Sequence, residues 1–223
     1  QRSGPPRLAL RGLEASGLRE ASCLRDLSLD VFAGEIVGVA GIDGNGQREL
    51  EEVLVGVRNL TAGRLEVDGA PVAPTLRALR ACGVAHLSGE RERGGLIAGF
   101  SLAENLALKG SYDDVRFFRR GWLDVAALRL AARHAARQFR IEPPDVDADI
   151  ATLSGGNAQK VALARELGAD PRALVALNPT RGLDVGATRF VHEQLRSMCA
   201  RGGAVLLIST ELDEVLELAD RVF

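Results

Sequence analysis

The stretch GIDGNGQREL, residues 41–50, decides the fold. It follows GEIVGVAG (Gly34 to Gly41), a continuous apolar run of the kind that makes a buried parallel strand. After it, Leu50, Val53, Leu54 and Val57 recur at helical spacing, so the unit reads strand, glycine loop, helix. Gly41, Gly44 and Gly46 let such a backbone close around an anion, which then meets bare N–H groups and the positive end of the helix dipole. Gln47 and Arg48, however, stand where a phosphate-binding loop carries Lys and Ser or Thr. Taken alone, the stretch reads equally as a nucleotide cradle or as a glycine-rich strand-to-helix turn.

Composition narrows the choices. With 223 residues, 46% hydrophobic and 26% charged, the chain can bury a core as one large domain or as a domain with a subdomain. The formal net charge is -2 and the 28 basic residues are spread along the chain, which gives a nucleic acid no concentrated patch and excludes it as a partner. No apolar run approaches the roughly 20 residues of a membrane span, and QRSGPPRLAL has no signal-peptide core. Cys23, Cys82 and Cys199 are far apart without a CxxC pair, as expected of packed thiols rather than a disulfide framework or a zinc site. The closing ADRVF reads as a strand cut short, and predicts a domain taken from a longer protein.

Along the chain, RLALRGL and LSLDVF alternate like half-buried strands, RLEVDGAPV holds the Asp-Gly of a tight turn, and CGVAHL is another short strand. An antiparallel layer therefore flanks a parallel sheet. From Gly99 to Ile150 the pattern turns helical: SLAE, Ser101 to Glu104, is a capping box, and DVAALRLAARHAARQF is amphipathic. Strand runs resume at ALVAL (173–177) and AVLLI (204–208), as βαβ alternation requires. The expected division is 1–98 for the first part of the core with the antiparallel layer, 99–152 for a helical subdomain, and 153–223 for the remainder of the core.

A second motif, LSGGNAQK (Leu153 to Lys160), places Ser154 to cap a helix while Gly155 and Gly156 leave its first amides bare. With both motifs in order, the sequence resembles the ATP-binding cassette family, the motor domains of ABC transporters. GIDGNGQR matches the Walker A loop, GVAHLSGER the Q-loop region, LSGGNAQK the signature, ALVALNPT Walker B, RGLD the D-loop and LLISTELDEV the switch region. ERERGGL, FSLAENLAL and PTRGLDVGA further resemble the second cassette of the tandem ATPases of simple-sugar and nucleoside importers, the nucleoside branch most closely. The resemblance implies an α/β P-loop NTPase fold with a parallel core sheet, an antiparallel β layer and a helical subdomain. It also implies ATP at the loop of Gly41, Asp43, Gly44, Asn45, Gly46, Gln47 and Arg48.

Departures from the family pattern cluster at that loop's own site. Gln47 replaces the lysine and Arg48 the magnesium-binding hydroxyl; Leu177 replaces the Walker B aspartate, Asn178 the catalytic carboxylate, Thr210 the switch histidine and Gly89 the Q-loop glutamine. Losing a hydrogen bond to a charged group weakens triphosphate binding by about one to two orders of magnitude. Asn cannot act as a general base near pH 7. The N-terminal segment also lacks an aromatic at the usual adenine-stacking place before CLRDLSL. The own site is thus expected to be degenerate, binding ATP weakly and hydrolysing it very slowly or not at all.

By contrast, Ser154, Gly155, Gly156, Asn157 and Asp184 match positions that act on a neighbouring cassette's nucleotide, with Mg2+ at that partner site. The partners implied are another cassette, in the same longer chain, and transmembrane permease subunits, at the cytoplasmic face of the cell membrane. In the family the membrane subunit docks near the Q-loop and helical subdomain, which points to Gly89 to Phe100.

Several other features carry less. One local idea is that Arg48 beside Leu177 neutralises phosphate in place of magnesium; the alternative is an arginine turned to solvent on the first helical turn. His86, His134 and His192 are isolated and read as structural or surface residues, and RFFRRGW (Arg116 to Trp122) as a surface turn of the helical part. A non-hydrolysing regulatory nucleotide module is the competing function. A soluble ABC protein of DNA repair or translation would need a basic cleft or a coiled-coil insertion that the sequence lacks.

Overall fold

A computed structural model describes residues 4–16, 23–41, 44–89, 95–108, 117–119 and 122–223. Asp43 of the loop, most of ERERGGL, Tyr112, and Arg116, Arg120 and Gly121 of the basic-aromatic stretch lie outside these residues.

The alternating runs become β1 (Leu8–Ala15) and β2 (Leu24–Val31), and GEIVGVAG becomes β3 (Ile36–Ala40). After the loop, α1 (Gln47–Leu54) is shorter than its apolar spacing predicts. Gly56, at φ 73, turns the chain where a Cβ would strike the backbone of Thr75 and Leu76. Val57 consequently falls beyond the helix and is 75% exposed, whereas Leu50, Val53 and Leu54 are buried. A hairpin of β4 (Ala62–Val67) and β5 (Ala70–Val72) turns on Asp68 and Gly69, both left-handed at φ 50 and 78, as a two-residue turn requires. Then come α2 (Leu76–Ala81), capped by the Thr75 side chain, and β6 (Val84–Ser88).

The middle of the chain is mostly helical. Ser101 and Glu104 close the expected capping box at the start of α3 (Leu102–Ala107). Within RFFRRGW a small antiparallel pair forms, β7 (Phe118–Arg119) with β8 (Trp122–Leu123), and Trp122 is 82% exposed. Asp124 caps α4 (Val125–Gln138), which buries a stripe of Leu128, Ala132 and Ala136 at four-residue spacing. Ser154 caps α5 (Gly155–Leu167), buried almost continuously from Ala158 onward. The last elements are β9 (Ala173–Leu177), α6 (Val185–Ala200), β10 (Ala204–Ser209), α7 (Leu212–Leu218) and β11 (Arg221–Val222).

Two compact units result. Gln1–Leu87, Asp170–Pro179 and His192–Phe223 make one; Ser88–Ala169 and Thr180–Val191 make the other. The first holds a five-stranded sheet of order β11-β3-β10-β9-β6, in which β10 pairs parallel with β3 and β9, and β11 parallel with β3. Every residue of β9 and β10 is buried, which explains their unbroken apolar sequence. A four-stranded antiparallel sheet of order β2-β1-β4-β5 shares one core with it: Leu10, Leu29 and Leu65 from this layer, Leu50 and Val53 from α1, Val175 and Leu206 from the parallel sheet. The second unit packs α3 against α4 and α5. Cys199 is buried, and burial pushes its thiol up to about 12; Cys23 and Cys82 are half-buried.

Candidate nucleotide site and signature edge

The glycine loop leaves β3 at Gly41 and enters α1 at Gly46, whose φ of 95 puts the N-cap in the left-handed region that favours glycine. Leu50 N–H bonds back to the Gly46 carbonyl at 2.8 Å, closing the first turn of α1. Gln47 folds its amide back over Gly41, close enough that any Cβ there would collide with Nε2, and its Oε1 is buried without a partner. Beside the loop opens a cavity of about 460 Å³, lined among others by Cys23, Leu24, Arg25, Leu27, Gly46 and Gln47. That is a volume suited to a small ligand. None of its described lining residues is aromatic. The amide cup and the adjoining shelf fit a nucleotide; Cys23 and Arg25 belong to a wall that sequence spacing does not reveal, because they precede the loop by some twenty residues.

Leu177 and Arg48, which the sequence resemblance sets at the magnesium positions, offer no side-chain oxygen to hold that ion. Leu177 is apolar and 8% exposed at the end of β9. Arg48 turns from the loop along α1 to Glu52, with Nε 3.0 Å from Oε1 and a side chain 62% exposed. Burial raises the Glu52 carboxyl, but hydrogen bonds from Arg58 and Arg48 outweigh it and hold the group below the usual range. The guanidinium thus pairs with Glu52 along the surface of α1.

Asn178 and Thr210, which the sequence resemblance sets at the catalytic carboxylate and the switch histidine, are bonded to each other. Asn178 Oδ1 accepts from the Thr210 N–H at 2.8 Å and from its hydroxyl at 3.2 Å. Asn178 sits at φ 41, with its own N–H given to the Ile208 carbonyl at 2.7 Å, so side chain and backbone are both committed. Next to Thr210, the Ser209 hydroxyl donates to Glu214 at 2.7 Å, and Glu214 lies 3.3 Å from His192. His192 and Glu214 are buried, His86 pairs with Glu51 at 2.8 Å, and His134 is exposed on α4. In the other unit, Gly89 directly follows β6 and offers no side chain.

The signature lies in that second unit. Ser154 is exposed at the N-cap of α5, its Oγ accepting from the Asn157 N–H at 3.4 Å. Gly155 and Gly156 form the first turn. A Cβ on Gly156 would come 3.0 Å from the Ala187 Cβ and 3.6 Å from Asp184, so the start of α5 rests against the start of α6. Asp184 accepts from the Ala187 N–H at 2.9 Å, and this bond first of all holds its carboxyl below the usual range. The start of α5, where Gly155 and Gly156 follow the exposed Ser154, thus lies beside the start of α6, whose first-turn amides are taken up by Asp184. Asn157 turns its side-chain amide inward, to Ser154 and to the Glu142 N–H.

A family model described as ABC transporter matches residues 24–181. The chain is 40% identical over 216 residues to the guanosine import ATP-binding protein NupO of Bacillus subtilis, covering 96% of this chain and 42% of that protein. It is also 40% identical over 212 residues to the ribose import ATP-binding protein RbsA 1 of Rubrobacter xylanophilus, covering 94% and 42%. The chain therefore spans less than half the length of these relatives. Among solved structures, a dimeric bacterial ABC transporter cassette superposes with a TM-score of 0.78 at 19% identity, over 96% of this chain and 92% of that one. The cbiO1 protein from Clostridium perfringens, part of the transporter complex cbiONQ, superposes with 0.74 at 21% identity, over 98% and 84%. With the glycine loop, the parallel sheet and the serine-capped signature helix all in place, this chain belongs to the ABC transporter family.

Proposed function

We propose that the chain is an ATP-binding cassette of an importer for nucleosides or sugars, and that its own site is silent while its signature edge completes the nucleotide site of a partner cassette. The observation that carries this reading is the Asn178 to Thr210 bonding, which occupies the positions where a general base and a switch side chain would work. Relatives that import guanosine and ribose support the substrate class. Their length, more than twice this chain's, supports a second cassette in the same polypeptide. Permease subunits at the cytoplasmic membrane face dock against Gly89 to Phe100, where Ile97 and Phe100 are exposed.

Within the complete importer, Ser154→Ala is expected to lower MgATP turnover about tenfold or more. The isolated chain is expected to show no turnover above a buffer control. Native turnover by the Ser154→Ala assembly would refute the shared-site reading. A second reading, a nucleotide held here as a non-hydrolysing regulator, is favoured by the retained cavity. It predicts that filling the cavity through Gly46→Val changes the assembly's turnover, even though Ser154 is intact.

A further inference from the structure

Both ends of the Asn157 side-chain amide are bonded within the chain. Its Oδ1 accepts from the Glu142 N–H at 3.0 Å and lies 3.5 Å from the Lys160 ammonium. Its Nδ2 donates to Ser154 Oγ at 3.1 Å, and its backbone N–H reaches the same oxygen at 3.4 Å. A serine hydroxyl has two acceptor lone pairs and one proton. Asn157 fills both lone pairs, so the proton of Ser154 is what remains to be offered at the exposed end of α5.

We propose that Asn157 is a positioning residue that fixes the Ser154 hydroxyl as a hydrogen-bond donor to a phosphate oxygen of the partner cassette's nucleotide. The inference rests on the reading that this edge serves a partner's site. Orientation comes from Oδ1: a flipped amide would set its NH2 against the Glu142 N–H and the Lys160 ammonium, donor against donor. Lys160 is itself anchored, donating to the Arg140 carbonyl at 2.8 Å and lying 5.4 Å from the centre of the Phe190 ring. The amide is thereby polarised toward stronger donation to Ser154. A hydroxyl without this pair of donors rotates freely between donor and acceptor. As an acceptor it would meet a phosphate oxygen lone pair to lone pair.

The test is a double-mutant cycle on MgATP turnover by the full-length protein assembled with its permease. Ser154→Ala is expected to lower turnover about tenfold or more, and Asn157→Ala about fivefold. In the Ser154→Ala background, Asn157→Ala is expected to change turnover less than about twofold, since a residue that acts through Ser154 then has nothing to act on. Losses that multiply, or native turnover by Asn157→Ala, overturn the proposal. Native turnover by Ser154→Ala overturns the shared-site reading, and the positioning role falls with it. Should Asn157→Ala lower the melting temperature, Asn157→Asp decides. Its carboxylate still accepts from the Glu142 N–H but draws the Ser154 proton inward, so turnover is expected to fall with the melting temperature kept. Native turnover by Asn157→Asp again overturns the assignment.

Discussion

Lysine in place of Gln47 returns a cation to a cup whose glycines already have the required geometry. For Gln47→Lys an affinity gain for ATP of about one to two orders of magnitude is expected in an equilibrium titration. Turnover by the isolated variant is expected to stay at the control level, because the Asn178 amide cannot take a proton and its Oδ1 is bonded to Thr210. For Arg48→Ala, nucleotide affinity is expected to change less than about twofold, given the solvent-facing pairing with Glu52; a tenfold loss would restore the idea that Arg48 replaces magnesium. At this scale the sequence exposes which residue types occupy the site, but not their partners. The bond between Asn178 and Thr210 spans 32 positions and depends on β9 and β10 pairing in register. Likewise Asn157 looks like an outward recognition residue until the chain from α4 brings Glu142 beneath it.

Short-range chemistry decides the elements, and there the sequence is most readable. The Ser101 and Glu104 box forms as its spacing predicts, and Ser101→Ala is expected to cost about 1 kcal/mol in urea unfolding. Hydrogen bonds from Ser101 hold the Glu104 carboxyl below its ordinary 4.5. A lowered folded-state pKa stabilises the fold above the unfolded value and is lost as pH falls through the folded one. The difference in urea midpoint between native protein and Glu104→Gln is therefore expected to be full above pH 4.5 and to shrink below it. The runs ALVAL and AVLLI become β9 and β10 because strands buried on both faces admit only apolar residues. The end of α1 is less legible. Its apolar spacing continues to Val57, but the packing of Gly56 against Thr75, nineteen residues away, stops the helix first.

At the scale of the molecule, the proposed role depends on what the chain shows to a neighbour. The sequence order of the motifs suffices to read the family and the fold. The grouping of α5 and the first part of α6 with the middle helices, away from the sheet that follows each of them in sequence, does not appear in any local pattern. Within that unit a Cβ on Gly156 would come 3.0 Å from the Ala187 Cβ, so the two helix starts lie close together. The pairing of Asn178 with Thr210 also bears on how such a protein could change over generations. Exchanging Asn178 for a residue without an acceptor strips the Thr210 amide of its partner and costs stability, whereas a carboxylate at 178 keeps an acceptor there. On the proposed reading, a carboxylate returned to 178 alone would still find Gln47 and Leu177 without the charge to reward it. If the chain serves a neighbour as proposed, that specialisation is held by the need for several exchanges at once rather than by any single contact.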